Sequence, residues 1–192
     1  MIVKSADFLV SVANERNLPN YDKPEFAFVG RSNVGKSSLI NALCNRKKLA
    51  KTSSLAGRTR LINFFEINKE IILVDLPGYG FAKASKTEQA KWQSLIGTYL
   101  SNSNNLKLVF VLVDIRHEPT ELDLMMVNYL YQNNTPFVIV ATKLDKIKKS
   151  QIMKQKQMIA SVLGIGVENI ILSSQVEKVG LDDIWAKVES HI

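Results

Sequence analysis

Residues 30 to 37 read Gly30-Arg31-Ser32-Asn33-Val34-Gly35-Lys36-Ser37 and satisfy the pattern G-x-x-x-x-G-K-[ST]. The pattern follows a strand-like run, Glu25 to Val29, and opens a segment, Lys36 to Asn45, whose Leu39, Ile40 and Leu43 share one helical face. A strand that turns into a helix through such a loop aims backbone N–H groups and the helix N-terminus at one point, where an anionic phosphate is stabilised. Lys36 then reaches the β- and γ-phosphates, and the Ser37 hydroxyl is placed to ligate Mg²⁺.

The rest of the chain alternates in the manner this loop requires. Strands are predicted at Leu61 to Ile67, Ile71 to Asp75, Leu106 to Asp114, Phe137 to Ala141 and Asn169 to Leu172. Helices are predicted at Lys86 to Leu100, Thr120 to Gln132, Lys149 to Leu163 and Leu181 to Glu189. Nearly all-apolar strands alternating with helices imply an α/β fold of three layers: a mostly parallel sheet covered on both faces. Six strands, one of them antiparallel, are expected. Residues 1 to 24 read as an extension packed on the core through Phe8, Leu9, Val10 and Val12, and residues 25 to 192 as one domain. Arg46 to Arg60 reads as a mobile loop.

Three further motifs fall just after predicted strands, where ligands of such sheets bind. Asp75-Leu76-Pro77-Gly78 is D-x-x-G: Asp75 is placed to hold Mg²⁺ through water, and the Gly78 N–H to sense a γ-phosphate. Thr142-Lys143-Leu144-Asp145 offers a carboxylate that can accept two hydrogen bonds from N1–H and N2–H₂ of guanine, donors that adenine lacks. Lys143 then lies over the ring and Thr142 braces the loop. Ser173-Ser174-Gln175 has two readings: a backbone N–H donor to guanine O6, or a helix-capping turn.

Four motifs in this order resemble those of translation-factor-like, Era- and EngA-related GTPases, and imply a P-loop NTPase with a Ras-like G domain. Details narrow the likeness. Gly30 to Ser37 continued by Ser38-Leu39-Ile40-Asn41 resembles the loop of the EngB/YihA/YsxC family of ribosome-biogenesis GTP-binding proteins. So do Gly57-Arg58-Thr59-Arg60, Asp75-Leu76-Pro77-Gly78-Tyr79-Gly80-Phe81-Ala82, Asp114-Ile115-Arg116-His117 before Pro119-Thr120, and Val3-Lys4-Ser5-Ala6. Ala56 and Glu118 stand where that family commonly has prolines, away from the nucleotide contacts. The resemblance implies GTP or GDP as ligand, Mg²⁺ as cofactor, and nucleotide contacts from Gly57-Arg58-Thr59-Arg60-Leu61 as well as from the four motifs. It makes Thr59 the switch threonine on Mg²⁺. From the residues alone, Thr52 and the neighbouring serines are equally hydroxylic.

Many GTPases place a glutamine directly after D-x-x-G, but here Tyr79 stands there and no Gln follows before Gln89. Hydrolysis is expected to be slow and to lean on Lys36, Thr59, Gly78 and either a bound ion or a partner. Asn33 has two readings. By resemblance to related GTPases it helps bind K⁺ beside the phosphates; otherwise it fixes the loop by hydrogen bonds. His117 is read as a packing or partner residue rather than a general base.

Lys plus Arg number 25 against 18 Asp plus Glu, a net charge of +7. This suits a polyanionic partner, RNA before membrane, and DNA is not expected. Arg46-Lys47-Lys48 with Lys51, and Lys146, Lys148, Lys149, Lys154 and Lys156, are either solvated surface or phosphate contacts. Arg58 and Arg60 are placed to change exposure with nucleotide state. The family resemblance implies the large ribosomal subunit and its rRNA as partner, with a link to cell division and septation; the alternative is a switch for a non-ribosomal protein. The single cysteine, Cys44, rules out an internal disulfide and reads as a buried small residue. No apolar run reaches the roughly 18 residues of a span, and no signal peptide or lipidation box is read. A cytoplasmic monomer is expected.

Overall fold

The computed structural model describes residues 1–50, 61–80 and 86–192, with backbone alone for 86–93. Gly57, Arg58, Thr59 and Arg60 lie outside the described residues, as do Lys51, Thr52, Ala56, Phe81, Ala82 and most of the loop read between Arg46 and Arg60.

The strands are β1 (Ala6–Val12), β2 (Glu25–Gly30), β3 (Ile62–Ile67), β4 (Ile71–Asp75), β5 (Leu106–Asp114), β6 (Phe137–Thr142) and β7 (Ile170–Leu172). The helices are α1 (Lys36–Leu43), α2 (Lys86–Asn102), α3 (Glu121–Gln132), α4 (Ile152–Leu163) and α5 (Leu181–Glu189). One sheet runs β1-β3-β4-β2-β5-β6-β7. β4, β2, β5, β6 and β7 are mutually parallel, while β3 is antiparallel to both β4 and β1. One strand alone therefore opposes the rest, as the sequence predicts.

The sheet has seven strands, not six. The predicted extension supplies the seventh: Ala6–Val12 pairs along the free edge of β3, from Ala6 opposite Ile67 to Val12 opposite Ile62. Phe8 stays half exposed but meets Phe65 edge-on, ring centroids 5.8 Å apart. A strand with one ladder and one solvated edge shows weak apolar patterning, so its type was hidden. At its start, Asn68 gathers the N–H groups of Lys4 and Ser5 and donates to the Ile2 carbonyl.

Side chains alternate across the sheet and build two apolar layers. Phe26, Phe28, Phe110 and Leu112 pack with Leu39, Ile40 and Leu43 of α1 and Ile184, Trp185 and Val188 of α5. Ala27, Val29, Val109 and Val111 pack on the other face with Leu95 and Ile96 of α2, Val127 and Leu130 of α3, and Ile159 and Leu163 of α4. Cys44 is buried in the first layer, and burial pushes its thiol up to about 12 against a smaller opposing effect of Arg46. Each fully buried Leu, Ile, Val or Phe contributes roughly 1.5–3 kcal/mol. The consequence for function is a rigid frame. β2 sits between β4 and β5, where the chain's path reverses, so the carboxyl ends of five parallel strands meet at one rim.

Candidate functional site

The rim is built from the turn after each strand. β2 ends at Gly30 and passes into α1 through Asn33 and Gly35, with φ of 63° and 108°. Asparagine tolerates that left-handed conformation, and glycine adopts it freely. Gly35 caps α1, so the loop delivers Lys36 and Ser37 into the first helical turn.

β4 ends at Asp75 beside this turn. Lys36 Nζ pairs with Asp75 Oδ1, and Ser37 Oγ stands 3.4 Å from Asp75 Oδ2. A cation, a hydroxyl and a carboxylate thus converge at the start of the helix. The D-x-x-G segment is then laced to the phosphate loop: Tyr79 N–H donates to Gly30 O at 3.2 Å, and Ser32 N–H to Tyr79 O at 2.9 Å. A Cβ on Gly78 would lie 3.1 Å from Ser32 N, so the two backbones approach as closely as glycine allows.

Tyr79 is not exposed at this rim. Its ring is buried and its hydroxyl donates to Asp123 Oδ1 at 2.7 Å. Burial, and after it the Asp123 charge, push the phenol well above its ordinary range. Asp123 Oδ2 accepts from both the N–H and the hydroxyl of Thr120, each at 2.8 Å, at the start of α3.

β5 and β6 end side by side, Asp114 opposite Thr142. The Thr142 hydroxyl is fully buried and reaches Val34 O at 2.7 Å and Val113 O at 3.1 Å, tying strand end to phosphate loop. Lys143, with φ of 63°, spans the same gap: Nζ donates to Asn33 O at 2.9 Å and pairs with Asp114 Oδ2 at 2.9 Å. Arg116 grips Asp114 through two nitrogens at 2.9 and 2.7 Å. Burial raises the Asp114 carboxyl's affinity for its proton, but the hydrogen bonds from Arg116 and Lys143 outweigh it and hold the group well below the usual carboxylate range.

β7 completes the rim. Leu144 N–H donates to Ser173 O at 3.1 Å, joining the two turns. The Ser174 hydroxyl donates to Asp145 Oδ1 at 2.8 Å, and Lys146 lies 3.1 Å from Oδ2. The Ser174 contact above all keeps the Asp145 carboxyl below its ordinary range. Asp145 is therefore an oriented carboxylate, suited to a neighbour with two adjacent donors. The Ser173 and Ser174 N–H groups are spent on Ala141 O and Val179 O. The Gln175 N–H makes no hydrogen bond among the described residues.

Of the predicted site residues, Gly30 to Ser38, Leu61, Asp75 to Gly78, Thr142 to Asp145 and Ser173 to Gln175 are described, and the four motifs meet at one rim. Asn33 contributes its backbone conformation and carbonyl; its exposed side chain makes no hydrogen bond among the described residues. His117 is exposed. Sequence reasoning missed Asp114 and Asp123 as site-building carboxylates. For Asp114 the available signal was an acid ending a buried parallel strand, the same signal that marked Asp75.

Among the described residues no three His, Cys, Asp or Glu side chains gather as a metal site. The oxygen pair of Ser37 and Asp75 fits Mg²⁺, which prefers one or two protein oxygens supplemented by water and substrate phosphates.

A family model described as "50S ribosome-binding GTPase" matches residues 25–143. The chain is 49% identical over 194 residues to the probable GTP-binding protein EngB of Lachnospira eligens, covering 100% of this chain and 92% of that one. It is 47% identical over 189 residues to the EngB of Geobacter metallireducens, covering 98% and 93%. The fold resembles the crystal structure of a probable GTP-binding protein engB, with a TM-score of 0.74, 23% identity, and 86% and 97% of the two chains covered. It also resembles Era in complex with MgGDPNP and part of 16S ribosomal RNA, with a TM-score of 0.65, 22% identity, and 88% and 56% covered.

Proposed function

Because this chain belongs to the EngB family of GTP-binding proteins and is a GTPase, we propose that it acts as a slow, Mg²⁺-dependent switch in assembly of the large ribosomal subunit. The observation that carries the reading is the matched family itself, whose description names 50S ribosome binding. Three features support it: the net charge of +7, the exposed Arg46, Lys47 and Lys48, and the exposed Lys146, Lys148, Lys149 and Lys154 beside the base-reading turn. Phosphate contacts of this kind are sequence-independent and salt-sensitive.

At the site, the loop N–H groups and Lys36 hold the β- and γ-phosphates, the Gly78 N–H meets the γ-phosphate, and Asp145 reads N1–H and N2–H₂ of guanine. Ser37 and Thr59, with Asp75 through water, would hold Mg²⁺, which would neutralise charge on the phosphates. The Gln175 N–H serves guanine O6. Tyr79, engaged by Asp123, is not placed to orient water. Slow turnover follows, raised by K⁺ at Asn33 or by the ribosomal partner. In its GTP state the protein binds the immature subunit, and hydrolysis releases it. The family's link to cell division and septation would be an indirect result of failed ribosome assembly. No described helix is long and apolar enough to cross a membrane, which accords with a cytoplasmic place of action.

The test is co-sedimentation with large-subunit precursor particles. The GTP-loaded chain should travel with them at low salt and the GDP-loaded chain should not. Failure of the GTP-loaded chain to do so would sink the ribosomal reading and favour a non-ribosomal partner.

A further inference from the structure

Gln175 carries a buried donor with nothing to donate to. Its Nε2 is inaccessible to solvent and has no hydrogen-bond partner among the described residues. The carboxamide lies over the phosphate loop: a Cβ built on Gly35 would stand 3.8 Å from Oε1 and 4.0 Å from Nε2. Buried amide N–H groups without partners are rare in folded proteins and call for an explanation.

Of the other polar side chains in these turns, the Ser173 hydroxyl is likewise buried and without a partner among the described residues, and the remaining three are committed elsewhere. The Thr142 hydroxyl is held by Val34 O and Val113 O. The Ser174 hydroxyl is on Asp145, and Lys143 Nζ is on Asn33 O and Asp114. With Asp145 on the N1 and N2 donors of guanine, the adjoining edge of the base presents two acceptors, O6 and N7. The backbone N–H of Gln175 accounts for O6. For N7, the Thr142 hydroxyl is spent, while the Gln175 amide, which reaches over the phosphate loop, is not.

We propose that the Gln175 side-chain amide donates to N7 of the bound guanine, so that this one residue holds the base by both its backbone and its side chain. The inference rests on the guanine-nucleotide reading above. Adenine carries the same N7, so the contact adds purine affinity, while choice between purines stays with Asp145. Gln175 is a binding residue, and its amide takes no part in the chemistry at the γ-phosphate.

The test compares GDP with 7-deaza-GDP, in which N7 is a C–H, by titration calorimetry on the full chain. The wild-type protein should bind the deaza analogue about three- to tenfold more weakly. Gln175→Leu should lose about the same factor for GDP and bind the two ligands alike. Equal binding of both ligands by the wild type overturns the proposal, and so does a Gln175→Leu protein that still prefers GDP. The wild-type comparison needs no variant to fold. ADP is titrated in parallel: a wild type that binds ADP as well as GDP undermines the guanine reading, a result separate from either outcome with the deaza analogue.

Discussion

The Tyr79 hydroxyl donates to Asp123 Oδ1 at 2.7 Å, while Oδ2 of the same carboxylate takes two hydrogen bonds from Thr120. One buried carboxylate thereby joins the D-x-x-G turn to the first turn of α3. The residue standing where many GTPases place a water-orienting glutamine is thus a strut between two elements. A carboxylate at this helix position reaching back to its own N-cap is stabilised by the helix dipole as well.

Tyr79→Phe keeps the ring and removes the donor, leaving one carboxylate oxygen buried and unpaired. The expected cost is about 1–3 kcal/mol of folding stability, read as a lower thermal or urea midpoint. A proton-transfer role for the hydroxyl would instead cost roughly a hundredfold or more in single-turnover hydrolysis. The strut reading expects hydrolysis of bound GTP to stay close to the wild-type rate at a temperature where the variant is folded. A large loss of rate with unchanged stability would reverse the assignment.

Asp114 should make the protein's stability sensitive to acid. Its carboxyl is held below its unfolded value, about 3.9, chiefly by Arg116 and Lys143 against the opposing effect of burial. A carboxyl depressed on folding contributes stability that is fully present above the unfolded value and lost as pH falls through the folded one. Asp114→Asn should cost about 1–2 kcal/mol at neutral pH, a figure kept low because Arg116 is partly exposed. The gap between variant and wild type should shrink as pH drops below about 4. Urea unfolding at neutral and acid pH measures both numbers; a gap that does not change with pH contradicts the ion-pair account.

Cys44 should be inert in the folded chain. Burial pushes its thiol up to about 12, so almost no thiolate exists at neutral pH, and the residue is 2% exposed. Alkylation by iodoacetamide at pH 7.5 should be negligible in native protein and complete in denaturant. Rapid labelling under native conditions would mean that α1 opens from the sheet.

The motifs were legible because each ends a buried parallel strand, and strands buried on both faces announce themselves as continuous apolar runs. β1 was not, since Asp7, Phe8 and Ser11 sit on a solvated edge and the strand exists only by pairing with β3. The helix at Lys149 to Leu163 begins as a 3₁₀ turn, Lys149–Gln151, before α4, a local tightening that periodicity does not resolve. Asp114 and Asp123 owe their roles to register and capping. Asp114 is fixed by standing opposite Thr142 across β5 and β6. Asp123 acts through Tyr79, 44 residues away in the chain. Local sequence marks Asp114 as an acid at a strand end and Asp123 as a helix-start residue, but their partners across the fold are set by tertiary structure.

Asn33 is the residue at which the proposed ion binding can be tested apart from loop geometry. Its φ of 63° and its carbonyl, which accepts from Lys143 at 2.9 Å, are backbone properties. Its exposed carboxamide has no hydrogen bond among the described residues, so the amide oxygen is available to a monovalent cation beside the phosphates. A cation there would stabilise charge developing on the transferred phosphoryl group, and loss of one such stabilising group elsewhere costs about a hundredfold or more. Turnover in K⁺ should therefore exceed turnover in Na⁺ by roughly tenfold or more at matched ionic strength. Asn33→Gly keeps the left-handed backbone and the carbonyl but removes the amide. It should erase the difference between the two salts while leaving GDP affinity close to that of the wild type. Equal wild-type turnover in both salts would remove the ion from the mechanism and leave the proposed ribosomal partner as the source of acceleration.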